Sequence, residues 1–389
     1  PSLELVEQWE ADVRLFYPDV SIIKCGSPYR GHKELLKSLT QARFPEQVVV
    51  ISTYDSAQGD YYMSKWRLAK SEQFAMICDE VHNMGAPKSQ CLMELNPAYR
   101  IGLSATPRRN FDEIGSEKIL DFYHQNTFEF SIKDAQREHY LVEYQYRILP
   151  CAMPEDDWEL YKTFSREILQ LQHTLEQEGN EKAQLRLRQR IEGRYRDRAK
   201  LLKKNDQKAQ TLQTIFDEIP PTARVLIYGD DLHHLDEIGQ ELDHMGKYYF
   251  KYTGELDAQK ERPTILKEFR QGIRKTLLAV GCLDEGIDIP ACDVAVFISS
   301  STSERQFIQR RGRVLRVAPG KTSAWIYDYL LYPILSARTN DDERRLALSM
   351  IDAQYRRINL MVEDAINGIQ ERQKLDQFLS QRRLNPYDF

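Results

Sequence analysis

Phe74-Ala-Met-Ile-Cys-Asp-Glu-Val-His82 is an apolar run of five residues that ends in two adjacent carboxylates. A short apolar run bounded in this way predicts a buried strand. In open α/β sheets, ligands bind at the carboxyl ends of the strands, which is where Asp79 and Glu80 are delivered. Phosphoryl transfer needs one acid to hold Mg²⁺ and another group to orient or deprotonate the attacking water. Asp79 suits the first role and Glu80, beside it in reach of the same metal, the second. On its own a strand ending in Asp-Glu is more often a solvated turn, so the reading depends on its neighbours.

About twenty residues on, a second apolar strand, Tyr99 to Leu103, ends in Ser104-Ala-Thr-Pro107, whose small hydroxyls suit hydrogen bonds that couple a nucleotide site to a second domain. Upstream, Val20 to Lys24 and Val48 to Ser52 are further short apolar runs separated by helical stretches. Together they predict a buried parallel sheet. After Pro220-Pro221 the alternation resumes at Arg224 to Tyr228, Tyr248 to Tyr252, Thr276 to Val280, Val294 to Ile298 and Ser323 to Tyr327, a second α/β domain in the same style. Between the two, Glu155 to Asn205 is rich in polar helix formers with apolar residues at three- and four-residue spacing, broken at Gly179-Asn180, and reads as a helical hairpin. Beyond Tyr332 the chain is helical and charged. Three roles suit that stretch: an accessory helical layer, a tail that binds partner proteins, or an arm onto a nucleic-acid backbone. The organisation expected is α/β throughout: residues 1–148 a first domain, 149–205 the hairpin insertion, 206–331 a second domain and 332–389 a helical C-terminal tail.

Asp-Glu-Val-His followed by Ser-Ala-Thr-Pro resembles motifs II and III of the superfamily 2 helicases. In the second half, Gln309-Arg-Arg-Gly-Arg-Val-Leu-Arg316 resembles motif VI, the source of arginine fingers, with Arg313 and Arg316 as candidates. Guanidinium groups stay charged and fork onto phosphate oxygens, which suits them to charge developing in the transition state. Asp284-Glu-Gly-Ile-Asp-Ile-Pro290 resembles motif V, so Gly286 is a candidate for close backbone approach and Asp288 for contact with the ribose or the finger arginines. Many relatives place Ser or Thr where this chain has Val280. Val225 to Asp231 resembles motif IV, and Thr253 and Gly254 fall in the segment after it, which tracks a strand in relatives. Pro1 to Trp9 resembles motif Ia and Ile51 to Tyr54 the later backbone-contacting motif, so Ser2 and Thr53 become candidate phosphate ligands, each also an ordinary helix cap.

The resemblance covers about residues 1–325 and is nearest the XPB-like and restriction-type DNA translocases. It implies tandem RecA-like domains, ATP and Mg²⁺ as ligands, and a catalytic set of Asp79, Glu80, His82, Gln309, Arg313 and Arg316. Nucleotide would meet Asp79, Glu80, Gly286, Asp288 and the two arginines, with Ser104 and Thr106 coupling the domains. DNA is expected ahead of RNA as the track. The rival readings are an RNA helicase, or a nucleic-acid-binding scaffold without ATPase activity.

Such motors hold ATP phosphates in a glycine-rich loop ending in Gly-Lys-Ser/Thr. Gly320-Lys-Thr322 follows the arginine segment and lacks the preceding glycine-spaced loop, so it reads as coincidence. The chain opens at Pro1, without Met, almost where motif Ia begins. The expectation is therefore that the phosphate loop precedes these residues and that they bind ATP poorly alone.

The net charge of −5 advertises no polyanion partner, so any basic surface must be local. One exists in the hairpin, where Lys182, Arg186, Arg188, Arg190, Arg194, Arg196, Arg198, Lys200, Lys203 and Lys204 face only Glu192 and Asp197. Arg186, Arg190 and Arg194 are the candidate nucleic-acid contacts. The six cysteines form no CxxC pair and read as reduced core thiols. No apolar run approaches the roughly 18 residues that span a bilayer, and an intracellular protein is expected, cytoplasmic or, in a eukaryote, nuclear.

Overall fold

The computed structural model of the protein describes residues 3–26, 29, 47–69, 71–109, 112–204, 206–256, 261–280, 292–299, 304–336 and 338–385. The chain divides into two compact units, one ending at Glu129 and the other beginning at Phe130. The first holds α1 (Leu3–Phe16), β1 (Ser21–Cys25), β2 (Val48–Ser52), β3 (Ala75–Cys78), β4 (Tyr99–Gly102) and α2 (Glu113–Phe122). β1 pairs with β2 and β3 with β4, both parallel. All four strands lie within a residue of the apolar runs that predicted them. Behind β3 and β4, Met63, Cys78, Val81, Met84, Leu92, Leu95, Ile119 and Phe122 form the core. The opposite face is open, with Ile77, Tyr99, Ile101 and Leu103 between 42% and 70% exposed.

The second unit is built on a six-stranded sheet whose members are β5 (Glu143–Met153), β6 (Val225–Tyr228), β7 (Phe250–Tyr252), β8 (Thr276–Ala279), β9 (Val294–Phe297) and β10 (Ser323–Pro333), in the order β5-β10-β9-β6-β8-β7. Every pairing in it is parallel. β6, β8 and β9 are buried at each position, as continuous Val, Leu and Ile runs are when helices cover both faces of a parallel sheet. The sheet carries α5 (Leu232–His244), α6 (Glu261–Arg270) and α7 (Glu304–Val314).

The expected hairpin is present as α3 (Glu155–Gln177) and α4 (Glu181–Lys203). Its turn falls at the anticipated break, where the Asn180 side chain accepts from the N–H groups of Lys182 (3.0 Å) and Ala183 (3.2 Å) and caps α4.

The charged C-terminal stretch is an accessory layer, α8 (Asp341–Val362) and α9 (Gly368–Gln381), and it finishes the sheet. Met350, Ile351, Tyr355, Ile358 and Met361 are buried. β5 is an edge strand, and an uncovered edge invites pairing with other chains. Here the Asn367 amide stands in for a neighbouring strand, accepting from the Tyr146 N–H and donating to its carbonyl, both at 2.9 Å. Glu371 accepts from the Ile148 N–H at 3.3 Å, and Pro150 has no N–H to offer. Gln354 closes the Leu331 peptide of β10 in the same way, at 2.9 Å on each side. Among the described residues no helix is long and apolar enough to cross a membrane.

Candidate nucleotide and nucleic-acid site

At the carboxyl end of β3 the Asp79 side chain is held by two donors, the Trp9 indole N–H at 3.1 Å and the Glu80 amide at 2.9 Å, while the Tyr54 hydroxyl donates to the Asp79 carbonyl at 2.9 Å. Burial pushes the Tyr54 pKa up, so that hydroxyl stays a donor. Glu80 has a left-handed backbone, φ 49° and ψ 52°. For a residue with a Cβ that conformation costs on the order of 1–3 kcal/mol and persists only where its surroundings enforce it. The enforcement is visible: the Leu103 amide donates to the Cys78 carbonyl (2.8 Å) and the Val81 amide to the Leu103 carbonyl (2.9 Å), clamping the ends of β3 and β4 around Glu80.

The next turn joins two of the sequence motifs. Buried His82 places Nδ1 3.3 Å from a Glu80 carboxylate oxygen and 3.3 Å from the Ser104 hydroxyl. Ser104 donates to the Thr106 carbonyl at 2.9 Å and accepts from its amide at 3.3 Å. A change at the Glu80 carboxylate is thus one imidazole from the Ser-Ala-Thr turn. Arg109 braces this arrangement, donating to the His82 carbonyl at 2.7 Å and pairing with Asp112 at 2.6 Å. Trp9, Tyr54 and Arg109 were not singled out from the sequence. Trp9 and Tyr54 sit inside segments quoted for their motifs, but only the fold reveals that both reach Asp79.

Among the described residues no group of three or more His, Cys, Asp or Glu side chains is arranged to hold a metal. Mg²⁺ is commonly held by one or two carboxylates with water and substrate phosphates, and Asp79 and Glu80 are the adjacent carboxylates at this strand end.

In the second unit α7 carries the arginines. Arg310 is buried, donating to the Ser299 carbonyl at 3.0 Å with its guanidinium 4.8 Å above the Tyr228 ring. Arg311 turns to the C-terminal layer, donating to the Leu360 carbonyl (2.8 Å) and pairing with Asp364 (3.1 Å). These two therefore hold the helix in place. Arg313 is also buried, and Arg316 and Gln309 are half-buried. Lys321 is buried and donates to the Val314 carbonyl at the end of α7, while Gly320 has φ +78°. Gly320-Lys-Thr is thus part of a turn in which Lys321 makes that contact.

Thr53 caps a short helix, its hydroxyl oxygen accepting from the Ser56 amide at 3.3 Å. Thr253 is buried, and the Gly254 carbonyl accepts from Arg262 at 2.7 Å. Ser2, Gly286 and Asp288 lie outside the described residues.

The basic helix sorts its cations by partner. Arg194 pairs with Glu167 (2.5 Å) and Asp197 (2.8 Å), and Arg198 stacks over Tyr161 and donates to Ser165 at 3.2 Å, inside the hairpin. Lys203 and Lys204 pair with Asp230 and Asp231. Lys182, Arg186, Arg188, Arg190, Arg196 and Lys200 remain exposed. Arg186 and Arg190 are thus presented to solvent, and Arg194 is committed to Glu167.

One buried cation had no sequence signal at all. Lys208 is 2% exposed and donates to the carbonyls of Leu202 (2.6 Å) and Ile298 (2.8 Å). Burial above all, with Arg357 nearby and only partly offset by Asp328, Cys151 and Asp230, lowers its pKa to about 7. Unfolded, the amine keeps its proton to about 10.5, so unfolding between these values takes up a proton and rising pH favours the folded state. Wild type should therefore gain on Lys208→Met as pH goes from 7 to 9, by up to ~1 kcal/mol per unit. Urea unfolding of both proteins at the two pH values checks this; a constant difference would mean that Lys208 stays protonated.

Comparison with known proteins followed the same division. Residues 1–109 match the family model for the type III restriction enzyme res subunit, and residues 207–318 that for the helicase conserved C-terminal domain. The chain is 22% identical over 333 residues to the DNA 3'-5' translocase XPB2 of Sulfurisphaera tokodaii, covering 81% of this chain and 68% of that protein. It is 24% identical to the putative DNA 3'-5' helicase Rad25 of Haloarcula marismortui, covering 82% of this chain and 43% of that one. Among solved structures, S. cerevisiae Dbp5 bound to Gle1 and IP6 has a TM-score of 0.49 at 14% identity, covering 90% of this chain and 71% of that one. The Pyrococcus furiosus Hef helicase domain has 0.43 at 16%, covering 85% and 90%.

Proposed function

Because the chain belongs to the superfamily 2 helicases, on their XPB-like and restriction-enzyme side, we propose that it works as an ATP-dependent motor on DNA, in which two RecA-like lobes act on one nucleotide. The observation that carries the reading is the end of β3, where a strained Glu80 stands beside an anchored Asp79 and reaches the Ser-Ala-Thr turn through His82. Asp79 would hold Mg²⁺, which when bound neutralises charge on the phosphates. Glu80 would orient and deprotonate the attacking water, with His82 and Gln309 in the surrounding set. Arg313 and Arg316 would stabilise charge that develops on the transferred group, and Gly286 and Asp288 would complete the nucleotide contacts. Ser104 and Thr106 would pass the state of the carboxylates on to the second lobe.

Glu80 held in a strained conformation beside an anchored Asp79 favours the hydrolysing motor over an inactive scaffold, which has no need of that strain. Without a phosphate-binding loop these residues should bind ATP weakly. DNA is preferred to RNA because the relatives named above are DNA enzymes. The test is ATP turnover by a protein that carries the loop, with duplex DNA as stimulator and duplex RNA as competitor. Stimulation by RNA alone would reassign the track, and no stimulation by either would reject the motor.

Ser2, Thr53, Thr253 and Gly254 are proposed to follow the strand backbone, and the exposed cations of α4 to add an electrostatic contact. Each phosphate neutralised releases counterions, giving a slope of log K against log[salt] of about −0.9 per contact on duplex DNA. Arg186→Glu with Arg190→Glu should weaken duplex binding at low salt and flatten that slope by about 2. Arg194→Glu should act mainly by breaking the pair with Glu167. Equal slopes for wild type and the double variant would remove α4 from the interface.

A further inference from the structure

The root of the hairpin is fastened to the two strand ends that position the arginine helix. Lys203 pairs with Asp230 at 2.8 Å and Lys204 with Asp231, both in the loop that leaves β6. That loop is pinned to the start of α5: the Asp230 amide donates to His234 Nδ1 at 3.2 Å, and Asp231 caps α5 through the His234 amide at 2.9 Å. Burial lowers the His234 pKa to about 4, which keeps the ring neutral and able to accept. Deeper in, Lys208 ties the last turn of α4, at the Leu202 carbonyl, to the Ile298 carbonyl at the end of β9. The next residue, Ser299, accepts from Arg310 of α7 at 3.0 Å, and its amide donates to the Tyr228 carbonyl at the end of β6 at 3.1 Å. One side chain and one peptide bond therefore separate the hairpin from α7.

A methionine would fill the same space without desolvating an amine. The lysine is costly to bury, and what it adds is a directional tie between two elements. We propose that Lys208, seconded by the Lys203–Asp230 and Lys204–Asp231 pairs, is a positioning relay that conveys nucleic-acid engagement of the hairpin to the arginine helix α7. The relay rests on the reading of α4 as a nucleic-acid contact and of α7 as the source of the fingers. Strain on the hairpin would reach α7 through this chain of bonded and hydrogen-bonded neighbours.

Hydrogen exchange on this chain, with and without a 30-base-pair DNA duplex at low salt (a length of about 100 Å at roughly 3.4 Å per pair), reads the relay directly. In wild type the duplex should slow exchange in both α4 and α7. In Lys208→Met it should slow α4 to the same degree and leave α7 unchanged. Asp230→Asn, which frees Lys203 without touching the core, should reduce the effect on α7 by about half and serves if the methionine variant does not fold. In a protein with the phosphate loop, Lys208→Met should lower DNA-stimulated turnover at least tenfold and leave DNA-free turnover unchanged, a split that simple loss of stability would not give. Full protection of α7 in both variants would overturn the relay while leaving the hairpin contact standing. No protection of α4 in wild type would overturn the contact, and the relay with it.

Discussion

Replacing Glu80 by Gln, in a form of the protein that carries a phosphate-binding loop, is expected to cut ATP turnover by at least ~10²-fold and to change ATP affinity little. The substitution keeps the size of the side chain and a carbonyl to face His82, but removes the charge that would take a proton from water. The structure isolates the effect to that step, because Asp79 is held by Trp9 and by the Glu80 main chain rather than by the Glu80 carboxylate. Single-turnover hydrolysis and nucleotide titration separate the two quantities. Turnover at the wild-type rate would take Glu80 out of the chemistry. The left-handed backbone gives a companion result: Glu80→Gly should relax the strain, stabilising the first unit slightly while abolishing turnover.

A second large effect concerns the core of the other unit. Asp328 is fully buried on β10 and meets Arg357 of α8, whose Nε lies 3.0 Å from one carboxylate oxygen. The Tyr146 hydroxyl (2.8 Å) and the Tyr329 amide (2.8 Å) supply the remaining donors. Arg357→Met should destabilise the unit by roughly 3–5 kcal/mol, because a buried carboxylate loses its counter-charge. Adding Asp328→Asn should recover a substantial part, since the pair together contributes less than either orphan costs. Urea unfolding followed by hydrogen exchange at β10 measures both. A loss under about 1 kcal/mol for Arg357→Met would mean that water or a neighbouring cation reaches Asp328.

Most strands were legible because each is a short apolar run between helical stretches, and in β6, β8 and β9 burial on both faces leaves no alternative use for such runs. The hairpin was legible from Gly179-Asn180, which breaks one helix and caps the next. β5 escaped notice: Glu143-Tyr-Gln-Tyr-Arg-Ile-Leu-Pro-Cys-Ala-Met153 alternates polar and apolar residues and contains a proline, which argues against an interior strand. It is a strand because β10 pairs with it along eleven residues and because Asn367 and Glu371, more than 200 positions away, cover its other edge. β10 likewise runs past Tyr327 to Pro333, a length that only this pairing justifies. At the site, residue types with a chemical signature were found, and those that act by position were not. Trp9, Tyr54, Arg109 and Lys208 look like ordinary surface or core residues until the chain folds. The hairpin shows the converse. Ten basic residues read as one arm, and the fold divides them into an exposed set and a set held by Glu167, Asp230, Asp231 and, for Arg198, by Tyr161 and Ser165.

In the proposed motor, Asp79 and Glu80 act on the same nucleotide as Arg313 and Arg316. ATP hydrolysis by a loop-bearing protein, compared among wild type, Glu80→Gln, Arg316→Ala and the double variant, and again with Arg313→Ala, tests that directly. Groups that stabilise one transition state are strongly non-additive, so each single change should cost at least ~10²-fold and the double little more than the worse single. Arginine variants that hydrolyse ATP at the wild-type rate, or losses that simply multiply, would contradict it.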